Sequence, residues 1–186
     1  MPAPTREELL QAATSFCDSF AQKKPLEEIL SHFPSPSSRT SQTPHSQSNN
    51  NENQAQKRNE IIVHEHGLPE LAPFLGRDFT GLAGAREYFE IVGQCLEYED
   101  MRFVEYIVDP NPRTETNEGS GEDRVNGGGK VVVRGKARFT WKETKQSWDE
   151  TFVYILCFDD SAKVTKYEVW ADSGAAYLAR RGALGK

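Results

Sequence analysis

The sequence predicts an α+β domain in which helices precede a strongly curved antiparallel sheet. Two patterns predict this class. Apolar residues recur at helical spacing near the N-terminus, and apolar and polar residues alternate along several long segments in the second half of the chain. Long adjacent strands late in the chain favour an antiparallel meander. The length of 186 residues suits one domain, so we expect a single domain over residues 1–186.

The first helix is predicted from its N-terminal cap and its apolar stripe. Thr5 and Glu8 have the spacing of a capping box, in which the two side chains bond each other's backbone N–H groups. The stripe that follows predicts a helix lying across a hydrophobic surface, and it consists of Leu9, Ala13, Phe16 and Phe20.

Three further helices are expected. Pro25 suits the first turn of a second helix, and Pro34 ends it because the residue before a proline disfavours helical geometry. A third helix begins after Thr80 and carries Tyr88 on its apolar side. A short fourth helix follows the last strand, over Ser173–Arg180.

Five segments are predicted to be strands. In the clearest of them one face is apolar and the other is charged, the pattern of a strand with one buried side. Gly135 and Ala137 on its apolar face predict a bend or a close approach, as a curved sheet requires. The five segments are residues 61–66, 101–108, 130–142, 148–158 and 163–172.

Two segments are too polar to join a core. Residues 34–60 are rich in Ser, Pro, Gln and Asn, and residues 110–129 are rich in Gly, Glu, Asn and Thr. Because such segments gain little from burial, we expect two flexible inserts. We assign no function to the insert at 34–60.

Composition excludes several classes of partner and cofactor. A net charge of −6 and an isoelectric point near 5.3 argue against nucleic acid as a partner. No apolar run is long enough to span a membrane, and the N-terminus does not resemble a signal peptide, so we expect no membrane partner and a cytoplasmic location. Cys17, Cys95 and Cys157 are far apart among apolar neighbours, which predicts reduced core residues.

Two motifs resemble a known family. Residues 81–89, GLAGAREYF, resemble the third-helix signature of SnoaL-like domains, in which a helix led by glycine ends in an aromatic pair. Residues 154–172 are similar to the family's ending, in which a strand, an acidic turn and a final strand close on an aspartate. The chain therefore resembles the nuclear transport factor 2-like and SnoaL-like superfamily, outside the two inserts.

The resemblance implies a fold and a range of activities. It implies a cystatin-like roll, in which N-terminal helices and the curved sheet enclose a cone-shaped pocket. It also implies chemistry on an apolar or aromatic small molecule, because the superfamily includes cyclases, isomerases and dehydratases. Since the sequence has no Gly-rich phosphate loop after a strand, no nucleophile elbow and no Cys–His pair spaced for covalent catalysis, we expect this chemistry to need no cofactor. Members that only bind or dimerise imply a possible homodimer through the sheet.

Asp172 is the first candidate for catalysis. Cyclases that the chain resembles use an acidic residue in the cone to move a proton beside a carbonyl group, and a partly buried carboxylate can acquire a suitable pKa. The alternative is structural, because Asp172 precedes Ser173–Arg180, where a helix N-cap is expected. The sequence leaves both interpretations open.

His64 and His66 are the second candidates. They alternate along one strand and so share a face, which makes either a possible proton shuttle. A zinc site would need a third ligand, and no Cys or His with suitable spacing supplies one, so we predict no metal. The alternative is an ordinary histidine at a strand end.

Further residues are expected to line the pocket. Glu150 alternates with large apolar residues, where a carboxylate is costly unless it is paired, so it is a second candidate acid. The alternative is a cross-strand ion pair with Arg102 or Arg138. Aromatic side chains would hold a flat ligand. They are Tyr88, Trp141, Trp148, Tyr154 and Trp170.

Two functions remain open at this point. The first is a cyclase, isomerase or dehydratase in which Asp172 with His64 or His66 handles protons. The second is a non-catalytic binding or dimerisation module. A pocket that exposes an acid or a histidine favours the enzyme, whereas a cone filled with aromatic side chains favours the module.

Overall fold

Four helices and six strands make up the computed structural model, which describes residues 3–35, 61–111 and 128–185. Most of the two predicted inserts, 34–60 and 110–129, lies outside the described residues. The elements follow in the order α1 (Arg6–Ala21), α2 (Leu26–Leu30), β1 (Ile62–Glu65), β2 (Asp78–Thr80), α3 (Gly81–Cys95), β3 (Leu96–Asp109), β4 (Gly129–Trp141), β5 (Ser147–Phe158), β6 (Val164–Trp170) and α4 (Ser173–Arg180).

The six strands form one curved, mixed sheet in the order β2-β1-β6-β5-β4-β3. Strands β3 to β6 are antiparallel neighbours, as the predicted meander requires. Strand β1 runs parallel to β6, with Val63 beside Tyr167, so the sheet is antiparallel except for this pair. The α+β fold with N-terminal helices is confirmed.

Two features accompany the curvature of the sheet: an irregular backbone in β3 and a glycine, which has no side chain, in β4. The register of β3 against β4 shifts between Glu99 and Arg102, and the bulge holds Asp100 at a φ of 52°. In β4, Gly135 lies opposite Phe152 of β5, and a Cβ atom on Gly135 would overlap the Phe152 ring. The aromatic ring therefore lies directly on the glycine backbone, which is the close approach that the sequence predicted.

The helices cover the apolar side of the sheet. The capping box of α1 is present, with the Glu8 backbone N–H donating to Thr5 Oγ1 at 3.3 Å and the Thr5 backbone N–H donating to Glu8 Oε2 at 2.8 Å. Helix α1 packs on β3 and β4, and α3 packs on β1, β2 and β3. In the described residues, no helix is long and apolar enough to cross a membrane.

Besides the parallel pair, two features of the sheet were not predicted. The short strand β2 was missed because three residues are too few to show alternation. Strand β3 begins at Leu96 rather than at 101, directly after α3, because its first residues pair with the end of β4. The extra length carries Leu96 and Tyr98 onto the wall of the domain's interior.

Replacing Gly135 by Ala is expected to lower the free energy of unfolding by about 1–3 kcal/mol, because the new methyl group would collide with Phe152. Gly93→Ala is the matched control. Gly93 lies in α3, and no atom lies within 4 Å of the position that a Cβ would take there, so alanine should be neutral or stabilising. Urea unfolding of both variants measures the difference. Equal effects of the two substitutions would contradict the close approach.

Candidate functional site

A cavity of about 80 Å³ lies between the helices and the apolar side of the sheet. Elements from almost every part of the chain contribute to its wall: α1, β1, α3, all of the long strands and α4. Half of the lining residues are aromatic. The aromatic members are Phe20, Phe74, Tyr88, Phe89, Tyr98, Phe139, Trp148, Phe152, Tyr154 and Tyr167.

Glu65 is the most deeply buried acid of this wall. It ends β1, where Ile61, Val63 and Glu65 alternate onto the buried face, and its exposed fraction is 9%. The Tyr88 hydroxyl donates a 2.5 Å hydrogen bond to its Oε2. Burial raises the pKa of Glu65 to about 7. The Tyr88 hydrogen bond opposes this rise, and the charge of Glu150 adds to it.

The second oxygen of Glu65 is open to the cavity. Oε1 accepts no hydrogen bond from the described residues. Among those residues, every side-chain oxygen or nitrogen that is fully sealed from solvent has a hydrogen-bond partner. Oε1 is therefore not sealed in the core, and since Glu65 lines the cavity, this oxygen is reached from there.

Glu150 is the second buried acid, with an exposed fraction of 7%. Each of its oxygens accepts one hydrogen bond: Trp148 Nε1 donates to Oε2 at 2.7 Å, and the Asp172 backbone N–H donates to Oε1 at 3.1 Å. Burial raises the pKa of Glu150, while these two donors oppose the rise because they favour the carboxylate. The predicted alternative, an ion pair of Glu150 with Arg102 or Arg138, does not form among the described residues, and Arg138 pairs instead with Asp149 on the outer face.

The tyrosines of the wall keep their protons. Burial raises the pKa values of Tyr88, Tyr154 and Tyr167 far above the ordinary value of a phenol. The nearby Glu65 carboxylate contributes to each of these rises. The wall thus offers neutral hydroxyl donors beside two carboxyl groups, which is a suitable set for binding a polar group and moving a proton.

Asp172 caps the last helix at the rim of the cavity. Its Oδ1 accepts a 2.9 Å hydrogen bond from the Ala175 backbone N–H, so the structural alternative raised for this residue is realised. The residue is exposed, and its backbone N–H holds Glu150. Asp172 is thus near the candidate acids, with its side chain engaged by α4.

His64, His66 and Trp170 lie on the outer face of the sheet, which corrects their predicted placement in the pocket. The inward positions of their strands belong to Glu65 and Val169, so alternation turns the predicted residues outward. Trp170 is 51% exposed and stacks on His66 with ring centroids 3.6 Å apart.

The outer histidines are held by carboxylates. His64 Nδ1 lies 2.7 Å from Asp78, and His66 Nε2 lies 3.3 Å from Glu168. Within residues 3–35, 61–111 and 128–185, no three His, Cys, Asp or Glu side chains are placed to hold a metal ion.

Other predicted lining residues divide into two groups. Tyr88, Trp148, Glu150 and Tyr154 line the cavity. Trp141 is buried on the predicted face of β4, but it lies behind the wall, with its ring centroid 6.5 Å from that of Phe74.

Sequence reasoning missed Glu65. The signal was present, because Ile61, Val63 and Glu65 alternate with the outward His64 and His66. The two histidines lie on the opposite face of the same strand. An acid that alternates with inward-facing apolar residues is also the pattern that identified Glu150.

No protein-family model and no curated protein sequence matches the chain. Solved structures match it along nearly its whole length. It is similar to an NTF2-like protein from Burkholderia xenovorans LB400, with 15% identity, a TM-score of 0.56, and coverage of 94% of this chain and 97% of that one. It is also similar to Rv0760c from Mycobacterium tuberculosis in complex with estradiol-17beta-hemisuccinate, with 10% identity, a TM-score of 0.51, and coverage of 88% and 92%.

A third similar structure, from Mesorhizobium loti, is assigned as a SnoaL-like polyketide cyclase, with 11% identity, a TM-score of 0.50, and coverage of 87% of this chain and 97% of that one. At these identities the likeness concerns the fold. The chain has the α+β fold of the nuclear transport factor 2-like superfamily, which SnoaL-like proteins share.

Proposed function

We propose that the chain binds a small molecule in this cavity and moves a proton on it by acid–base catalysis, as a cofactor-independent cyclase, isomerase or dehydratase does. One observation carries the proposal: two buried carboxyl groups, Glu65 and Glu150, line a cavity in which half of the lining residues are aromatic. Such carboxyl groups have perturbed pKa values, which is typical of catalytic acids and bases.

The surroundings of the two acids favour different roles. Glu150 accepts two hydrogen bonds that stabilise its charged form, so it suits the base. Glu65 accepts one, from Tyr88, and has a pKa near 7, so it holds a proton much of the time at neutral pH and suits the acid. Asp172 positions Glu150 through its backbone N–H, and His64 and His66 have no part in the reaction.

The similar structures support a ligand site in this fold. The M. tuberculosis protein holds a steroid ester, and the M. loti protein is assigned as a polyketide cyclase. The cavity of about 80 Å³ is far below the roughly 300–1,000 Å³ of sites that take drug-sized ligands. We therefore carry over the class of site and not the steroid.

The proton-transfer role predicts exchange of acidic C–H protons. In D₂O the native protein should accelerate deuteration of cyclopentanone beside its carbonyl group, which ¹H NMR follows directly. Glu150→Gln should slow the protein-dependent rate by about 100-fold or more, the usual contribution of general acid–base catalysis.

Glu105→Gln is the matched control, because it makes the same charge change at an exposed ion pair on β3. Exchange no faster with the native protein than with a Glu65→Gln, Glu150→Gln double variant would contradict the proposal. Exchange lowered equally by Glu105→Gln would do the same.

The raised pKa of Glu65 predicts a pH-dependent stability. Because the folded state binds this proton more tightly than the unfolded state, stability falls as pH rises from about 4.5 to about 7 and is then level. The native protein should lose about 3 kcal/mol of unfolding free energy relative to Glu65→Gln over this range. Urea unfolding at a series of pH values measures it. Curves that stay parallel at every pH would contradict a buried, titrating Glu65.

A second candidate function is a homodimer through the outer face of the sheet. Trp170 and Val153 are directly paired, and Ile155 and Val132 continue the same apolar stripe. The surrounding face carries both Arg138 and Glu168, so a second copy turned by a two-fold axis can match opposite charges.

Sedimentation velocity tests the dimer. We expect a dimer that Trp170→Ser or Ile155→Lys converts to a monomer, since each removes apolar surface from the stripe. Leu68→Ser is the control, because Leu68 is 65% exposed, against 51% for Trp170, but lies in a loop outside the stripe. A monomer at high concentration would exclude this function.

A further inference from the structure

We infer that the ligand of this cavity is a small aliphatic amine in its protonated form, with its ammonium group at the two buried glutamates and its alkyl groups against the aromatic wall. The inference rests on the proposed small-molecule site and not on the proton-transfer step, and it gives a chemical class to a ligand that the site binds. Four features of the cavity support it: the excess of acidic residues, the open oxygen of Glu65, the aromatic rings and the small volume.

The cavity has an excess of acids. Glu65, Glu150 and Asp172 line it, and no Lys, Arg or His is among the described residues of its wall. A buried carboxylate is costly unless an opposite charge lies beside it. A bound cation would supply that charge, whereas an anionic ligand would meet carboxylates on its polar side.

The open oxygen of Glu65 needs a donor. Tyr88 occupies Oε2, and Oε1 has no partner among the described residues. An ammonium N–H can donate to Oε1, and a hydrogen bond between two charged groups is about twice as strong as one between neutral groups. A carbonyl group has no N–H or O–H to donate, and it could only accept a hydrogen bond from Glu65 while that acid holds its proton.

The aromatic wall attracts cations as well as alkyl groups. Trp148, Tyr88, Tyr154 and Tyr167 line the same cavity as the two glutamates. The faces of such rings are negative, so they attract a cation that lies over them. The alkyl groups of an amine would pack on the same rings.

The size of the cavity limits the ligand. About 80 Å³ is a fraction of the volume that drug-sized ligands need. An amine with a few carbon atoms suits this volume.

Two probes of matched shape test the charge. tert-Butylammonium and tert-butanol have the same alkyl group and each has a hydrogen-bond donor, but only the first is a cation. Binding is followed by the NMR signal of the Trp148 indole N–H, which is bonded to Glu150. We expect tert-butylammonium to bind at least about tenfold more tightly than tert-butanol at about pH 8.

The preference should depend on the protonation of the two glutamates. Glu65 is faced by Tyr88 on α3, by Glu150 and Tyr154 on β5, and by Tyr167 on β6, and the three phenols stay protonated. Below the pKa of Glu65, near pH 5.5, the affinity for the cation should fall about tenfold or more while that for tert-butanol stays level.

Substitutions of the glutamates test which residues cause the preference for the cation. Glu65→Gln and Glu150→Gln should each lower the affinity for tert-butylammonium about tenfold and that for tert-butanol by much less, because the alcohol carries no charge, and Glu105→Gln should change neither. Equal or tighter binding of tert-butanol would overturn the inference and leave the small-molecule site standing. Binding of neither probe by a protein that exchanges cyclopentanone would overturn it and leave proton transfer intact.

Discussion

The candidate site depends on one buried contact, the hydrogen bond from the Tyr88 hydroxyl to Glu65. It joins α3 to β1, and β1 in turn runs beside β6 as the one parallel pair of the sheet. The contact therefore fixes the helix layer against the edge of the sheet that closes the cavity. Because Tyr88 stays protonated and occupies one carboxyl oxygen, it determines which oxygen of Glu65 faces the cavity.

Aromatic packing sets how much space remains for a ligand. The rings of Phe152 and Tyr154 lie 4.8 Å apart, and Tyr154 meets Tyr167 edge to face at 4.9 Å. Because Gly135 has no side chain, the Phe152 ring can lie directly against β4. The cone is thus neither wholly filled nor widely open. This intermediate state favours a small ligand over both alternatives that the sequence left open, a deep pocket and a solid core.

Local patterns predicted most of the fold because most of its elements are locally determined. The capping box at Thr5 and the alternation in β4 are both patterns formed by residues close together in the sequence. The parallel pairing of β1 with β6 joins residues about a hundred positions apart, and no local pattern encodes it. The site could be predicted only in part. Alternation marks both Glu150 and Glu65 as inward-facing acids, but the hydrogen bond that leaves one Glu65 oxygen open comes from Tyr88 on α3, and no local pattern encodes it.

A purely structural role explains the two glutamates poorly. A glutamine at position 65 could accept the same hydrogen bond from Tyr88 without the desolvation cost that raises the pKa of the acid. At neutral pH that cost is of order 3 kcal/mol, a large part of the stability of a small domain. Glu150 differs, because its two donors recover much of its cost and a structural role would suffice for it alone. Glu65 is therefore the stronger indication of a functional site, because its free oxygen accepts no hydrogen bond from the described residues of the fold and is available to a ligand.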